Sequence, residues 1–184
     1  MKTPKKTATR TALLDAAAVT LAKNPGASLN EIAAAARVGR ATLYRYFATR
    51  EALLHDLALE AIRQTREAIT PIRAQGLSGK ETLRQVVAAL IPLGDRFHFL
   101  MSELAVYGDP EVSAAYQSHF QTLVELVEAV KAEEGFAREV PTAWGVAAID
   151  ALIWAAWSSV EEGYIARRDA APLVFRTLFE GLAP

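Results

Sequence analysis

The chain has 184 residues, 52% of them hydrophobic and 22% charged, a balance that excludes a disordered polymer and allows one or two small domains with a buried core. It has no cysteine, which excludes disulfides and thiolate metal sites and fits a reducing cytoplasm. The net charge of -1 hides an asymmetry: residues 1–54 hold nine Lys or Arg against three acids, the rest hold eleven against eighteen, and such a basic end points to a polyanion partner.

Apolar residues recur at intervals of three and four rather than in alternation, so an all-α chain is expected. The start, MKTPKKTATR, leads into no apolar export core, and Lys2, Lys5 and Lys6 are expected to form a flexible arm. A first helix should run from about Lys5 to Lys23, with Leu14, Ala17, Ala18 and Leu21 on one face. The NPG at 24–26 stops it, and Ser28 with Glu31 has the spacing of a capping box for a helix from Leu29 to Ala35. A tight turn at 37–39 precedes a short helix from Arg40 to Tyr46. Thr49 can then cap a long helix from Arg50 to about Ile69, limited by Pro71. Ser78 is a possible cap for a helix through Ile91, and another helix is expected over 95–107. Asp109 and Pro110 open one that reaches Glu134. The last two helices should run from the VPT at 140–142 to about Ile165, and from the DAAP at 169–172 onward. The apolar stretch from Val146 to Val160 is broken by Asp150, Ser158 and Ser159, so no membrane span is expected.

The stretch GRATLYRYFATREALL, residues 39–54, packs Arg40, Tyr44, Arg45, Tyr46 and Arg50 together. At about 100° per residue, Leu43 and Phe47 share an inward face, with Ala41 and Arg45 opposite and Thr42 and Tyr44 flanking. That outward surface suits a major groove, where an arginine such as Arg45 can pair with guanine and Ala41 or Thr42 can meet a thymine methyl. Tyr44, Tyr46, Ser28 and Arg50 suit phosphates, and a phosphate near Thr49 and Arg50 would gain from the start of the long helix. A solvated basic face is the bland alternative. Arg37 and Gly39 in the turn complete the candidate DNA-binding set.

Two helices joined by a tight turn, the second reading DNA, form a helix-turn-helix. SLNEIAAAARVGRATLYRYFATREALL, residues 28–54, closely resembles the DNA-binding signature of the TetR family. The matching elements are the Ser28 cap, Ile32-Ala33, the turn from Ala36 to Gly39, Leu43-Tyr44, Tyr46-Phe47, Arg50-Glu51 and Leu53-Leu54. The resemblance implies a three-helix DNA-binding domain over 1–48 and a helical regulatory and dimerisation domain over 49–184. It further implies a homodimer that binds a palindromic operator as a repressor and is released by a small-molecule effector. By the same resemblance, Ser28, Tyr44, Tyr46 and Arg50 contact phosphate, and Gly39, Arg40, Ala41 and Arg45 face the groove. Two positions depart from the family pattern. Arg37 stands where Gly is usual, which predicts a strained backbone, and Gly39 stands where a hydroxyl residue is usual.

In the body, Ile149, Ile153, Trp157, Val160 and Tyr164 share a core-facing side. Trp144, Ala148, Ala151, Ala155 and Ser158 lie opposite, where small residues let another helix approach. With Phe175, Leu178, Phe179 and Leu182 they are the candidate dimer interface. Burial of both faces within one subunit is the alternative. Phe97, His98, Met101, Tyr107, Tyr116, Phe120, Asp150 and Trp154 are the candidate lining of an effector pocket, apolar with a few polar anchors. Asp150 needs a partner, such as a ligand or Arg96, or a shifted pKa. His55 falls where the N-terminal module meets the body and is a candidate relay. The histidines show no metal-ligand spacing, and no cofactor is expected. The competing classes are an effector-independent or activating regulator of the same fold, and an α-helical carrier or enzyme. The sequence offers no nucleophile–base pair and no phosphate-binding glycine loop for the latter.

Overall fold

The computed structural model describes residues 3–94 and 108–181, with side chains from residue 7 onward. Regular structure among the described residues is entirely helical. The helices are α1 (Thr3–Lys23), α2 (Leu29–Ala35), α3 (Arg40–Tyr46), α4 (Arg50–Arg73), α5 (Gly79–Leu90), α6 (Pro110–Ala132), α7 (Thr142–Glu161) and α8 (Arg167–Glu180). A short 3-10 turn, Ile91–Leu93, extends α5 where Pro92 removes an amide. The expected helix over 95–107 lies outside the described residues.

Local chemistry accounts for most boundaries. Asp109 caps α6 by accepting from the Glu111 and Val112 amides at 2.9 and 3.1 Å, and Pro110 takes the first helical position. Ser78 accepts from the Glu81 amide at 3.2 Å to start α5. Four expectations are corrected. Lys5 and Lys6 belong to α1 rather than to an arm, while Lys2 lies outside the described residues. The helix α4 continues past Pro71 to Arg73. Pro71 is exposed in the last turn, so the acceptor it leaves unfilled stays open to solvent. The helix α7 ends at Glu161, because Gly163 takes φ 76° and the Gly163 and Tyr164 amides fold back onto Val160 and Ser159 carbonyls at 3.2 and 2.8 Å. Tyr164 is therefore outside the helix and 79% exposed instead of facing the core.

Two apolar clusters divide the chain. The first joins Leu13, Leu14, Ala17, Ala18 and Leu21 of α1 to Ile32, Ala33, Leu43, Phe47 and the first half of α4, and takes in Val112 of α6. The second gathers Ile69 of α4 with α5, α6, α7 and α8. The long helix α4 therefore belongs to both cores, and the start of α6 is docked on the N-terminal module.

Candidate nucleic-acid interface and effector chamber

Capping sets the angle between α2 and α3. The Ser28 hydroxyl accepts from the Glu31 amide at 3.3 Å, and the Glu31 carboxylate accepts from the Ser28 amide at 2.7 Å, a complete capping box. At the other end Arg37 adopts φ 55°. Its amide reaches the Ala34 carbonyl and the Val38 amide reaches Ala33, both at 3.0 Å. This is a Schellman closure with an arginine where glycine is the easy choice. Gly39, with φ -69°, starts α3 without a side-chain cap.

The turn presents one side of α3. Leu43 and Phe47 are buried, Arg40, Ala41, Tyr44 and Arg45 are exposed, and Thr42 is half-buried. Tyr46 is also half-buried and packs on the first cluster. The Arg40 guanidinium lies 5.4 Å from the Tyr44 ring centre and that of Arg45 lies 5.6 Å from Tyr46. Such contacts reduce the entropy lost when these long side chains are ordered.

Arg50 and Ser28 make hydrogen bonds within the chain. The Arg50 guanidinium donates to the Ala27 carbonyl and, at 2.6 Å, to that of Pro25, tying the start of α4 to the loop between α1 and α2. The Ser28 hydroxyl donates to the Glu31 carboxylate at 2.7 Å. Thr49 caps α4, accepting from the Ala52 amide at 3.1 Å. His55 sits on the seam with the body. Its Nδ1 lies 3.4 Å from Asp56, and its Nε2 lies 3.6 Å from Asp109 and 3.5 Å from Glu111 at the start of α6. Arg10 of α1 holds the other oxygen of Asp56 at 2.7 Å.

In the body, Asp150 lines an internal slot of about 10 Å³ with Val86, Leu90, Leu123, Leu126, Val146, Ile149 and Ile153. Its Oδ1 is buried without a hydrogen-bond partner, and burial pushes the carboxyl up to about 6. The stacked pair Trp154 and Trp157, with ring centres 4.8 Å apart, shares its helix. Tyr116 and Phe120 stack at 6.3 Å but divide between the cores, Tyr116 on the first and Phe120 on the second. The candidates Phe97, His98, Met101 and Tyr107, like Arg96, lie outside the described residues. The aliphatic lining from α5 and α6 escaped sequence reasoning, because nothing separates a slot-lining Leu from a core Leu without the partner helices. Among the described residues no group of His, Asp or Glu side chains could hold a metal ion.

The candidate dimer residues separate as well. On α7, Trp144 is 69% exposed, Ala147, Ala151 and Ala155 are exposed, and Ala148 and Ser158 are half-buried. This helix is long and apolar enough to cross a membrane by composition, with a mean hydropathy of 1.3, yet only 33% of that stretch is buried in one subunit. The α8 aromatics turn inward. Phe175 is buried beneath Arg84, whose guanidinium lies 3.9 Å from its ring centre. Phe179 stacks on Phe136 at 4.9 Å and lies under Lys80 at 4.6 Å. Leu178 packs on the second cluster, and Leu182 lies outside the described residues.

The family described as "Bacterial regulatory proteins, tetR family" matches residues 13–57, which span the capped α2, the turn and α3. The chain is 33% identical over 171 residues to the HTH-type transcriptional repressor LfrR of Mycolicibacterium smegmatis, a match covering 89% of this chain and 82% of that protein. The crystal structure of the TetR-like regulator LfrR from Mycobacterium smegmatis in complex with proflavine superposes with a TM-score of 0.76 at 30% identity, covering 96% of this chain and 97% of that one. A TetR family regulator from Marinobacter aquaeolei shares the fold, with a TM-score of 0.69 at 22% identity and 96% of each chain covered. With this helix-turn-helix and this likeness over nearly its whole length, the chain belongs to the TetR family of bacterial transcriptional regulators, which bind DNA and are not enzymes.

Proposed function

We propose that the protein is a homodimeric repressor that binds a palindromic operator and is released by a small-molecule effector in its C-terminal domain. The carrying observation is the α3 surface: Arg45, Ala41 and Tyr44 stand exposed while Leu43 and Phe47 anchor the helix from behind. Arg45 reads guanine, Ala41 and Thr42 meet thymine methyls, Gly39 and Arg40 face the groove beside them, and Ser28, Tyr44, Tyr46 and Arg50 position the helix on phosphates. In this reading 1–48 is the DNA-binding domain, 49–184 regulates and dimerises, and the target places the protein in the cytoplasm. The apolar, two-thirds unburied α7 supports dimerisation through Trp144, Ala148, Ala151, Ala155 and Ser158.

Selection of bound duplexes from a random pool tests the core of this reading. The expected product is a two-fold symmetric consensus with half-sites spaced by whole helical turns, bound less tightly as salt rises. Arg45→Ala should cost about 1–3 kcal/mol and relax preference at one position of each half-site. A selection that yields no symmetric site removes the dimeric-operator reading.

The effector class follows from Asp150. Asp150 is half-buried, and a carboxylate oxygen buried without a partner among apolar groups is costly, a cost that an incoming cation relieves. Paired tryptophans on the same helix add a surface for a flat aromatic cation. Proflavine, held by the relative LfrR, has that chemistry. The slot of about 10 Å³ holds one water, so binding requires α5, α6 and α7 to part. The small slot favours one alternative, a regulator or activator without an effector. Proflavine fluorescence separates the two: saturable binding that displaces operator supports the effector reading, and no binding supports the alternative.

A further inference from the structure

A recess of about 180 Å³ lies between α4 and α6, apart from the slot at Asp150, and is lined by Arg66, Ile69, Thr70, Arg73, His119 and Thr122. Residues 66, 69, 70 and 73 fall within about 100° on one side of α4, so its wall is built by one helical face. Of the four arginines on α4, three are committed. Arg50 bonds the carbonyls of Ala27 and Pro25, Arg63 is held by Glu60 and Glu67 at 2.6 Å each, and Arg73 pairs with Glu125 at 2.8 Å. Arg66 has no carboxylate partner among the described residues. Arg73 gives one nitrogen to Glu125 and keeps further N–H groups. The hydroxyls of Thr70 and Thr122 donate to the carbonyls of Arg66 and Ser118, so the N–H donors of the recess come from the two arginines.

The electrostatics have one sign. His119, 5% exposed, is pushed down to about 4 by burial and then by the positive charge of Arg66, and is neutral at pH 7. Among the described residues that line the recess there are two guanidiniums and no carboxylate, and the one ion pair at its edge is Arg73 with Glu125, which leaves the lining net positive. Guanidiniums recognise carboxylate and phosphate through paired, charge-assisted hydrogen bonds.

We propose that the α4–α6 recess is a binding site for an oxyanion group, a phosphate or a carboxylate of a small metabolite, held by Arg66 and Arg73. The anion takes the counter-charge position that Glu60 and Glu67 fill for Arg63 on the other side of α4. The site does not depend on the operator reading, because it needs no DNA.

Isothermal titration of the full chain with inorganic phosphate, and separately with succinate, at ionic strength fixed with potassium chloride, tests it. Saturable one-site binding of either probe is expected, weakened about tenfold or more by Arg66→Gln and partly restored by Arg66→Lys. Arg84→Gln, which removes a cation outside the recess, should leave the affinity unchanged. Tighter phosphate binding identifies a phosphorylated ligand, and tighter succinate binding a carboxylate. Titration without saturation, or equal losses in the Arg66 and Arg84 variants, would mean general charge screening and overturn the proposal.

Discussion

Arg37 holds a backbone conformation that costs an L side chain about 1 kcal/mol and that glycine adopts freely. Arg37→Gly should therefore stabilise the fold by about 0.5–1 kcal/mol, read as a higher urea midpoint at unchanged slope. An unchanged or lower midpoint would show that the arginine side chain compensates for its backbone. Asp150 and His119 act on stability in opposite directions. Between pH 3.8 and about 6 the folded chain keeps a proton on Asp150 that the unfolded chain has released, so this group lowers stability as pH rises. Between about 4 and 6.5 the unfolded chain takes up a proton that folded His119 refuses, so this group raises stability with pH. The two contributions largely cancel between pH 4 and 6. Asp150→Asn should unmask the His119 slope, so that stability climbs with pH, and should add about 1–3 kcal/mol at pH 7. Denaturation curves at several pH values decide this, and a variant as level as the wild type would sink it.

Helix pairs in the body approach closely because particular small residues let them. A Cβ on Gly79 would lie 2.7 Å from the Ala129 carbonyl carbon and 2.8 Å from the Val130 nitrogen, so α5 starts against the backbone of α6. The Glu133 carboxylate then accepts from the Gly79 and Lys80 amides at 2.7 and 3.2 Å, supplying caps for α5 from a neighbouring helix. Gly79→Ala should destabilise by about 1–3 kcal/mol, although alanine is the better helix former by about 1 kcal/mol. Thermal melts check the sign, and a stabilised variant would mean that α5 can shift without loss. The cations of Lys80 and Arg84 on the rings of Phe175 and Phe179 fasten α8 to α5 at their shared surface.

At the scale of the whole molecule, the two cores meet along α4, and the seam at His55 joins the DNA-binding helices to the start of α6. In the proposed dimer the unburied side of α7 meets the second copy. Ala151→Glu should give a folded monomer, with an unchanged helical spectrum but a lower melting temperature and greatly weakened operator binding. Sedimentation is the measurement, and a variant that stays dimeric places the interface elsewhere.

The sequence alone determined what depends on neighbours a few residues apart. The bounds of α2 and α3, the Ser28–Glu31 box, the caps at Thr49, Ser78 and Asp109, the strain at Arg37 and the outward face of α3 all rest on short-range geometry, and all were legible in the residues. Tertiary structure decided what depends on partners far along the chain. The bonds from Arg50 to the carbonyls of Pro25 and Ala27, and the packing of Phe175 and Phe179 beneath Arg84 and Lys80 of α5, could not be read from the residues alone. Helical periodicity says which residues turn inward together. It does not say which helix meets them, because that choice is made by packing between segments many tens of residues apart.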